Sequence, residues 1–276
     1  MVEQCVIFDL ETVPDVSAAR VLMNPGAAVD DASVREGLES LYSRADGRAP
    51  FIKSVMHRIV CLGALYAYRS SVSEPWSIDR AGAIHIGQRT ERELISTFID
   101  SLGAAPAPQL VGFNSSSFDL PVLRYRALAL GVPSFILHRG NGRDYWYRYG
   151  RDHLDICDFI SSYGAATRPS LAELGAICGM SVKSDGMDGS QVERLVEEGR
   201  LDEVASYCES DVTVTYLLFL RLSLIIGDLS LDAYGRSLSA VRAFIEERTE
   251  KRPHLKRFIG MTEQALSREV ELPIRP

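Results

Sequence analysis

The chain has 276 residues, 46% of them hydrophobic and 24% charged, and a net charge of −7. That mixture gives ample core volume and excludes a disordered or fibrous chain. With a pI near 5.4, it also excludes a protein that grips duplex DNA mainly through phosphate contacts, although an acidic metal site neutralised by its own ions fits.

The first element is a strand with an apolar run at Val6–Phe8 that ends in Asp9, Leu10 and Glu11 and stops at Pro14. Residues 15–50 are mixed in character, with turn signals at Asn24-Pro25-Gly26 and Asp46-Gly47-Arg48 and a helical piece from Ser33 to Ser43. They read as an insertion that could act as a lid, followed by Lys53, His57 and Arg58 as candidate phosphate contacts. Arg58–Tyr68 is rich in β-formers, and Ser73–Asp79 with Ala83–Ile86 continues a meander. Thr90 and Glu93 form a capping box for a helix that runs to Leu102.

After an Ala/Pro linker, Gln109–Phe113 is a short buried strand, and Phe118–Leu130 is a helix ended by Gly131. His153–Phe159 reads as another strand. Ser170 with Glu173, and Ser190 with Glu193, read as capping boxes for helices near 171–178 and 191–198. A long helix spans about 202–226, a further one 232–249, and the basic run Lys251–Arg257 reads as a solvated face. A meander followed by alternating helices and strands argues for an α/β fold with a mixed central sheet. The expected division is one domain over 1–227 and a helical extension over 228–276 packed on it.

Five scattered cysteines, none in a C-x-x-C pair, argue against a zinc site or a disulfide framework and for a reducing compartment. The N-terminus lacks a basic region, and Asp9 breaks its apolar run, so it is not a signal peptide. The stretch Tyr216–Ile226 carries Arg221 and is too short to cross a bilayer. The expectation is a cytoplasmic protein with no membrane partner.

Three acidic elements carry the chemistry. Asp9 and Glu11 are two apart on a strand and leave it on the same face. Two like charges there are costly unless a cation sits between them, though solvated acids at a strand end would look the same. Asp119 follows Asn114-Ser115-Ser116-Ser117-Phe118 at a strand-to-helix turn, where a carboxylate also favours the helix dipole. Tyr207 and Asp211 are i and i+4 on one helix face, which also fits a simple Tyr–Asp hydrogen bond. Taken together, the three can supply converging oxygen ligands for magnesium or manganese, as two-metal phosphoryl transfer requires. No Walker loop, G-x-G-x-x-G or G-x-S-x-G competes.

F-D-L-E-T at 8–12, N-S-S-S-F-D at 114–119 and Y-C-E-S-D at 207–211 resemble the three motifs of the DEDD exonucleases. These have the ribonuclease-H-like fold. H-R-I-V at 57–60, H-L-D-I-C-D at 153–158 and K-S-D-G-M-D-G-S-Q-V at 183–192 narrow the resemblance to the stand-alone predicted 3′–5′ exonucleases related to the exonuclease domain of family B polymerases. The resemblance covers about residues 1–222. Tyr207 four before Asp211, with Ser206 where the h-type has His, implies the y-type.

The resemblance implies that Asp9, Glu11 and Asp211 bind a first metal ion. Asp9 would bridge to a second, which Asp119 reaches directly or through water. Tyr207 would orient the attacking water, since a phenol is a poor base at neutral pH. Leu10, Thr12, Asn114 and Phe118 would hold the terminal nucleotide. The implied activity is two-metal 3′–5′ hydrolysis of single-stranded DNA or RNA to nucleoside 5′-monophosphates. The alternative is a nucleic-acid-binding or scaffold protein on the same fold with weak or no catalysis.

The loop Arg139–Arg151 interleaves four arginines with four aromatics, which suits either a single-strand groove or a cap over the sheet edge. His153 reads as a supporting residue, and Asp155 and Asp158 are not assigned as ligands. Lys183 and the Gly186/Gly189 turn read as a helix entry.

Overall fold

The computed structural model describes residues 2–43, 52–103, 106–180 and 189–270. Strand β1 (Glu3–Pro14) lies at the centre of a five-stranded sheet of order β3-β2-β1-β4-β5. β2 (His57–Arg69) and β3 (Ser77–His85) extend it as an antiparallel meander on one side. On the other side β4 (Gln109–Gly112) and β5 (His153–Asp155) pair in parallel. A central strand covered on both faces reads as a continuous apolar run, and Cys5–Phe8 are all buried. This mixed sheet flanked by helices is the expected α/β, ribonuclease-H-like architecture.

The period-2 alternation of β1 sorts its residues between two cores. Val6, Phe8 and Leu10 pack against α3 (Glu91–Ser101) and α4 (Asp119–Leu130). Cys5 and Ile7 face α8 (Leu201–Ile225), together with α9 (Leu231–Glu246) and α10 (Arg257–Val270). Asp9 and Glu11 continue the α8 side of that alternation. Helix α8 lies close against β2 at Gly63, the residue opposite Asp9 in the ladder. A Cβ there would lie 2.8 Å from Cys208 Sγ and 2.9 Å from Val212 Cγ2. The absent side chain lets α8 sit directly over the end of β1. Beside the same point the β1–β2 register slips between Glu11 and Thr12, a bulge of the kind that re-aims side chains next to sites.

Several elements differ from expectation for identifiable reasons. The two pieces expected at 73–79 and 83–86 are one strand, β3, with a register shift opposite Tyr66/Ala67. The strand expected over 153–159 is three residues long. Asp155 accepts the backbone N–H of Asp158 and so caps α5 (Ile156–Ile160). The segment after Pro14 holds two helices, α1 (Val16–Met23) and α2 (Asp31–Leu41), capped by the side chains of Asp15 and Asp30. Capping boxes close at Thr90/Glu93 and at Ser170/Glu173, which opens α6 (Leu171–Ile177). The box expected at 190/193 rests on the Ser190 side chain, which lies outside what the structure describes, and α7 spans Val192–Glu197. Its cap is Gln191, without a side-chain bond, and Glu193 forms a two-pronged ion pair with Arg35 of α2.

The basic run 251–257 is not a solvated face. Arg252 and His254 reach back to buried Glu209 of α8, His254 at 2.9 Å. Lys183 and Gly186 lie outside the described residues.

A second polar clamp joins the elements under the other face. Arg126 of α4 pairs with Asp15 at 2.6 Å and with both oxygens of Glu91 at 2.7 Å, and Glu91 also accepts the N–H of Ile59 on β2.

Gly63→Ala places a methyl group where α8 already sits. It is expected to lower unfolding stability by about 1–3 kcal/mol, as overpacking does. A urea midpoint unchanged from the wild type would show that α8 can shift without strain.

Candidate active site

At the open end of β1 the sheet, α4 and α8 meet around a groove of about 630 Å³. Asp9, Asp119 and Asp211 line it, with Leu10, Asn114 and Phe118 beside them. Glu11 lies behind, 7% exposed. Asp119 is the first residue of α4, and its Oδ1 accepts the backbone N–H of Leu10 at 3.0 Å. That bond ties the second acidic element to the first. Tyr207 and Asp211, i and i+4 on α8, share one face of that helix. The structure therefore brings together Asp9, Glu11, Asp119, Tyr207 and Asp211, from three elements far apart in sequence.

Their electrostatics follow from that placement. Burial first, then the charge of Asp119, pushes Asp9 up to about 7, although a hydrogen bond with Glu11 works against the shift. Burial raises Asp119 to about 7, opposed by its bond from Leu10. Asp211 is pushed up to about 8 by burial and by Asp9, with Arg257 acting in the other direction. Glu11 is raised well above the usual carboxylate range by burial and by the charges of Asp9 and Asp211. Burial and the same three acids raise the Tyr207 phenol, so it stays protonated and available as a donor.

A cation among these groups would reverse every one of the carboxylate shifts. The residues fit such an ion in two ways. Oδ1 of Asp211 is buried and has no hydrogen-bond partner, a costly state for a carboxylate oxygen unless something else occupies its lone pairs. The donors are also hard oxygens, the set that magnesium and manganese prefer. Cys208 lies close too, its Sγ 3.6 Å from Asp9 Oδ2, and candidate ligand atoms of Asp9, Glu11 and Cys208 fall within 4.8 Å of one another. Burial pushes this thiol far up, so it acts as a weak donor to Asp9 and not as a thiolate ligand.

The remaining expected residues divide. Leu10, Asn114 and Phe118 line the groove. Thr12 does not line it. Its hydroxyl lies 3.0 Å from His57 Nδ1, and the His57 ring meets Phe118 edge-on at 5.5 Å, so this pair backs the groove wall. Lys53 lies over the Tyr42 ring.

Two further groups contribute, the first around His153, which the sequence reads as a supporting residue. Asp155 accepts the backbone N–H groups of Asn114 and Ser116, both at 2.8 Å, and His153 Nε2 lies 2.9 Å from Ser115 Oγ. Together they hold the turn before Asp119, in which Asn114 adopts a left-handed φ of 56°. Burial lowers His153 to about 4, so it is a neutral partner of the serine. Arg168 is the second contributor. It lines the groove, and its Nη1 reaches Ser117 Oγ at 2.7 Å and Asn114 Oδ1 at 3.3 Å. A lone arginine before Pro169 gives no pattern by which to find it.

The chain is 27% identical over 135 residues to a DNA polymerase of Archaeoglobus fulgidus, a match that takes in 46% of this chain and 17% of that protein. Its fold is similar to a family B DNA polymerase from the hyperthermophilic archaeon Pyrobaculum calidifontis, with a TM-score of 0.52 and 17% identity, over 98% of this chain and 28% of that one. The chain thus spans a small part of each polymerase. The family described as predicted 3′–5′ exonucleases related to the exonuclease domain of PolB matches residues 49–262. That span reaches further toward the C-terminus than the motif resemblance did. It contains Asp119, Tyr207 and Asp211 and begins after Asp9 and Glu11, which the sheet brings to the same groove. The chain belongs to the family of predicted 3′–5′ exonucleases related to the exonuclease domain of PolB.

Proposed function

We propose that the chain hydrolyses single-stranded DNA, or RNA, from its 3′ end and releases nucleoside 5′-monophosphates, with Asp9, Glu11, Asp119 and Asp211 holding two divalent ions, magnesium or manganese. The observation that carries this reading is Asp211. It is a mid-helix carboxylate with a buried, unpartnered oxygen, in a group of four acids that burial and mutual repulsion drive toward neutrality. Ions held there supply the positive charge that activates a water and stabilises the leaving oxygen.

The chain's own residues do the positioning. The Tyr207 phenol, raised and therefore protonated, donates hydrogen bonds and orients the water without removing its proton. This is the y-type assignment. The Leu10 backbone fixes Asp119. The apolar sides of Leu10 and Phe118 pack the terminal nucleotide, with Asn114 as a polar contact on the groove and Thr12 supporting its wall through His57.

We infer that residues 1–227 form the exonuclease domain and 228–276 an extension packed on it, supported by the core that α8 shares with α9 and α10. Among the described residues no helix is long and apolar enough to cross a membrane. All five cysteines are free thiols, which supports a cytoplasmic setting.

A 5′-labelled single-stranded oligonucleotide incubated with magnesium or manganese tests the activity. The expected product is a ladder shortened from the 3′ end. Asp9→Ala and Asp211→Ala are expected to lose at least about a hundredfold in rate. Tyr207→Phe is expected to lower kcat by about tenfold or more while leaving Mn²⁺ affinity unchanged. An intact oligonucleotide with the wild type, or equal rates with Asp9→Ala, overturns the proposal.

The raised carboxylates also predict how stability depends on pH. Their folded pKa values, about 7 for Asp9 and Asp119 and about 8 for Asp211, exceed the unfolded value near 4. The folded state therefore holds protons that the unfolded state releases, so their contribution is full below the unfolded value near 4 and is lost progressively from there until pH has passed the folded values of about 7 to 8. In chelator the thermal midpoint should fall over that interval. Saturating Mn²⁺ should raise the midpoint more at pH 8 than at pH 5.5, because binding needs ionised ligands. A midpoint shift by Mn²⁺ that is equal at both pH values, or retained in Asp9→Asn/Asp211→Asn, would sink the metal assignment.

A further inference from the structure

The arginine- and aromatic-rich loop between α4 and β5 divides into two halves with different surroundings. One half is structural. Tyr145 is buried and donates its hydroxyl to the Pro108 carbonyl at 2.9 Å. Arg143 holds the Ala107 carbonyl and Asp152, Arg139 pairs with Asp144, and Trp146 packs under Arg124 and beside His138. The other half turns its rings outward. Tyr147 and Tyr149 are exposed, the latter 59%, and neither ring is part of the core.

Tyr149 meets Tyr163 with ring centroids 4.8 Å apart, and Tyr147 joins at 6.2 Å from Tyr149. Tyr163 comes from the turn after α5, is 37% exposed, and has a left-handed φ of 57°, next to Ser162 at 51°. Two consecutive side-chain-bearing residues in that region form a strained backbone. The turn holds the Tyr163 ring against Tyr149 and leaves 37% of the residue open to solvent.

This cluster is connected to the groove by direct contacts. Arg168, on the groove wall, holds Asn114 and Ser117 with one nitrogen and Asp158 with the other, at 2.6 Å. Asp158 is shared with Arg148, whose Nη2 also donates to the Tyr163 carbonyl at 3.3 Å and whose guanidinium lies 6.0 Å from the Tyr149 ring centre. Both arginine side chains remain about one-third exposed beside the buried carboxylates of Asp158 and Asp155, and so offer two guanidiniums to solvent in an otherwise acidic protein. From the acids outward the order is groove, Arg168, Arg148, then open rings. Guanidiniums for phosphates followed by partly exposed rings for bases are the features of a single-strand track.

We propose that Tyr149 and Tyr163, reached from the groove along Arg168 and Arg148, form a stacking platform for the strand several nucleotides 5′ of the bond being cleaved. The proposal rests on the single-strand reading above and adds to it a second contact zone, one that discriminates by length. A trinucleotide fills only the groove, whereas a longer strand also reaches the rings.

The test compares Tyr149→Ala/Tyr163→Ala with Tyr149→Phe/Tyr163→Phe in the full chain, using a trinucleotide and a 12-nucleotide single strand. Binding is read by fluorescence anisotropy in Ca²⁺, and turnover in Mg²⁺. The alanine pair should weaken 12-mer binding and raise its KM by about tenfold, the scale of one lost base–ring stack. Its kcat and its rate on the trinucleotide should not change, and the phenylalanine pair should match the wild type throughout.

Equal 12-mer affinity for the alanine pair and the wild type overturns the platform while leaving the exonuclease reading intact. An equal loss on both lengths also overturns it, since that marks a general defect of the fold. A wild type that binds both lengths and cleaves neither defeats the exonuclease reading alone, because the anisotropy comparison still decides the platform. A wild type that binds neither length defeats both.

Discussion

Carboxylates moved out of water repel one another more strongly than they would at a surface, and four of them meet at the end of β1. Burial heads the causes of every raised value there, with the neighbouring acids next for Asp9, Glu11 and Asp211. Such a cluster disperses unless the elements that carry it are held from behind. Much of the rest of the structure can be understood as that restraint. The Asp119–Leu10 bond, the missing side chain at Gly63 and the register shift beside Glu11 all act within a few residues of the acids.

Further out, each carrier has its own polar anchor. Asp155 and His153 hold the turn that delivers Asp119. The Arg126 clamp ties the start of α1 to α3 and α4, and through Glu91 to β2. Glu209, two residues before Asp211, is held by Arg252 and His254. Breaking one member of such a buried pair leaves an uncompensated charge, commonly about 3–5 kcal/mol. The anchors thus resist the dispersal that the site itself favours. A divalent cation would relieve the same strain from within, and this is why the proposed metal dependence and the apparent instability of the acidic group are two aspects of one arrangement.

The parts of this arrangement visible in the sequence were those set by local periodicity. Asp9 and Glu11 share a face because strands repeat every two residues, and Tyr207 and Asp211 share one because helices repeat every 3.6. The capping boxes at Thr90 and Ser170 were legible for the same reason, as short-range chemistry between residues three apart. What escaped was long-range or dependent on tertiary competition. Glu193 has the spacing for a box, yet Arg35, from a helix 158 positions away, takes its carboxylate. Asp155 reads as a strand residue and is the last residue of β5, but nothing local shows that it also caps a helix and grips a turn 41 residues earlier. The basic run at 251–257 carried no sign that a buried glutamate awaited it, because Glu209 sits in an acidic stretch that reads as catalytic helix. Arg168 was invisible because its partners, Ser117 and Asp158, are ordinary polar residues until the fold brings them together.

The attachment of Glu209 to Arg252 and His254 has a consequence for the order in which the protein is made. Helix α8 leaves the ribosome before α9, the residues around 253 and α10. At that stage its buried acid lacks both cationic partners, and the flank formed by Leu217, Leu220 and their neighbours lacks the cover of Leu238, Val241 and Phe258. A nascent chain that has emerged only as far as residue 227 carries all four acids on an unsecured scaffold. Glu209 gains its partners only when some thirty further residues have been synthesised and have folded back across α8.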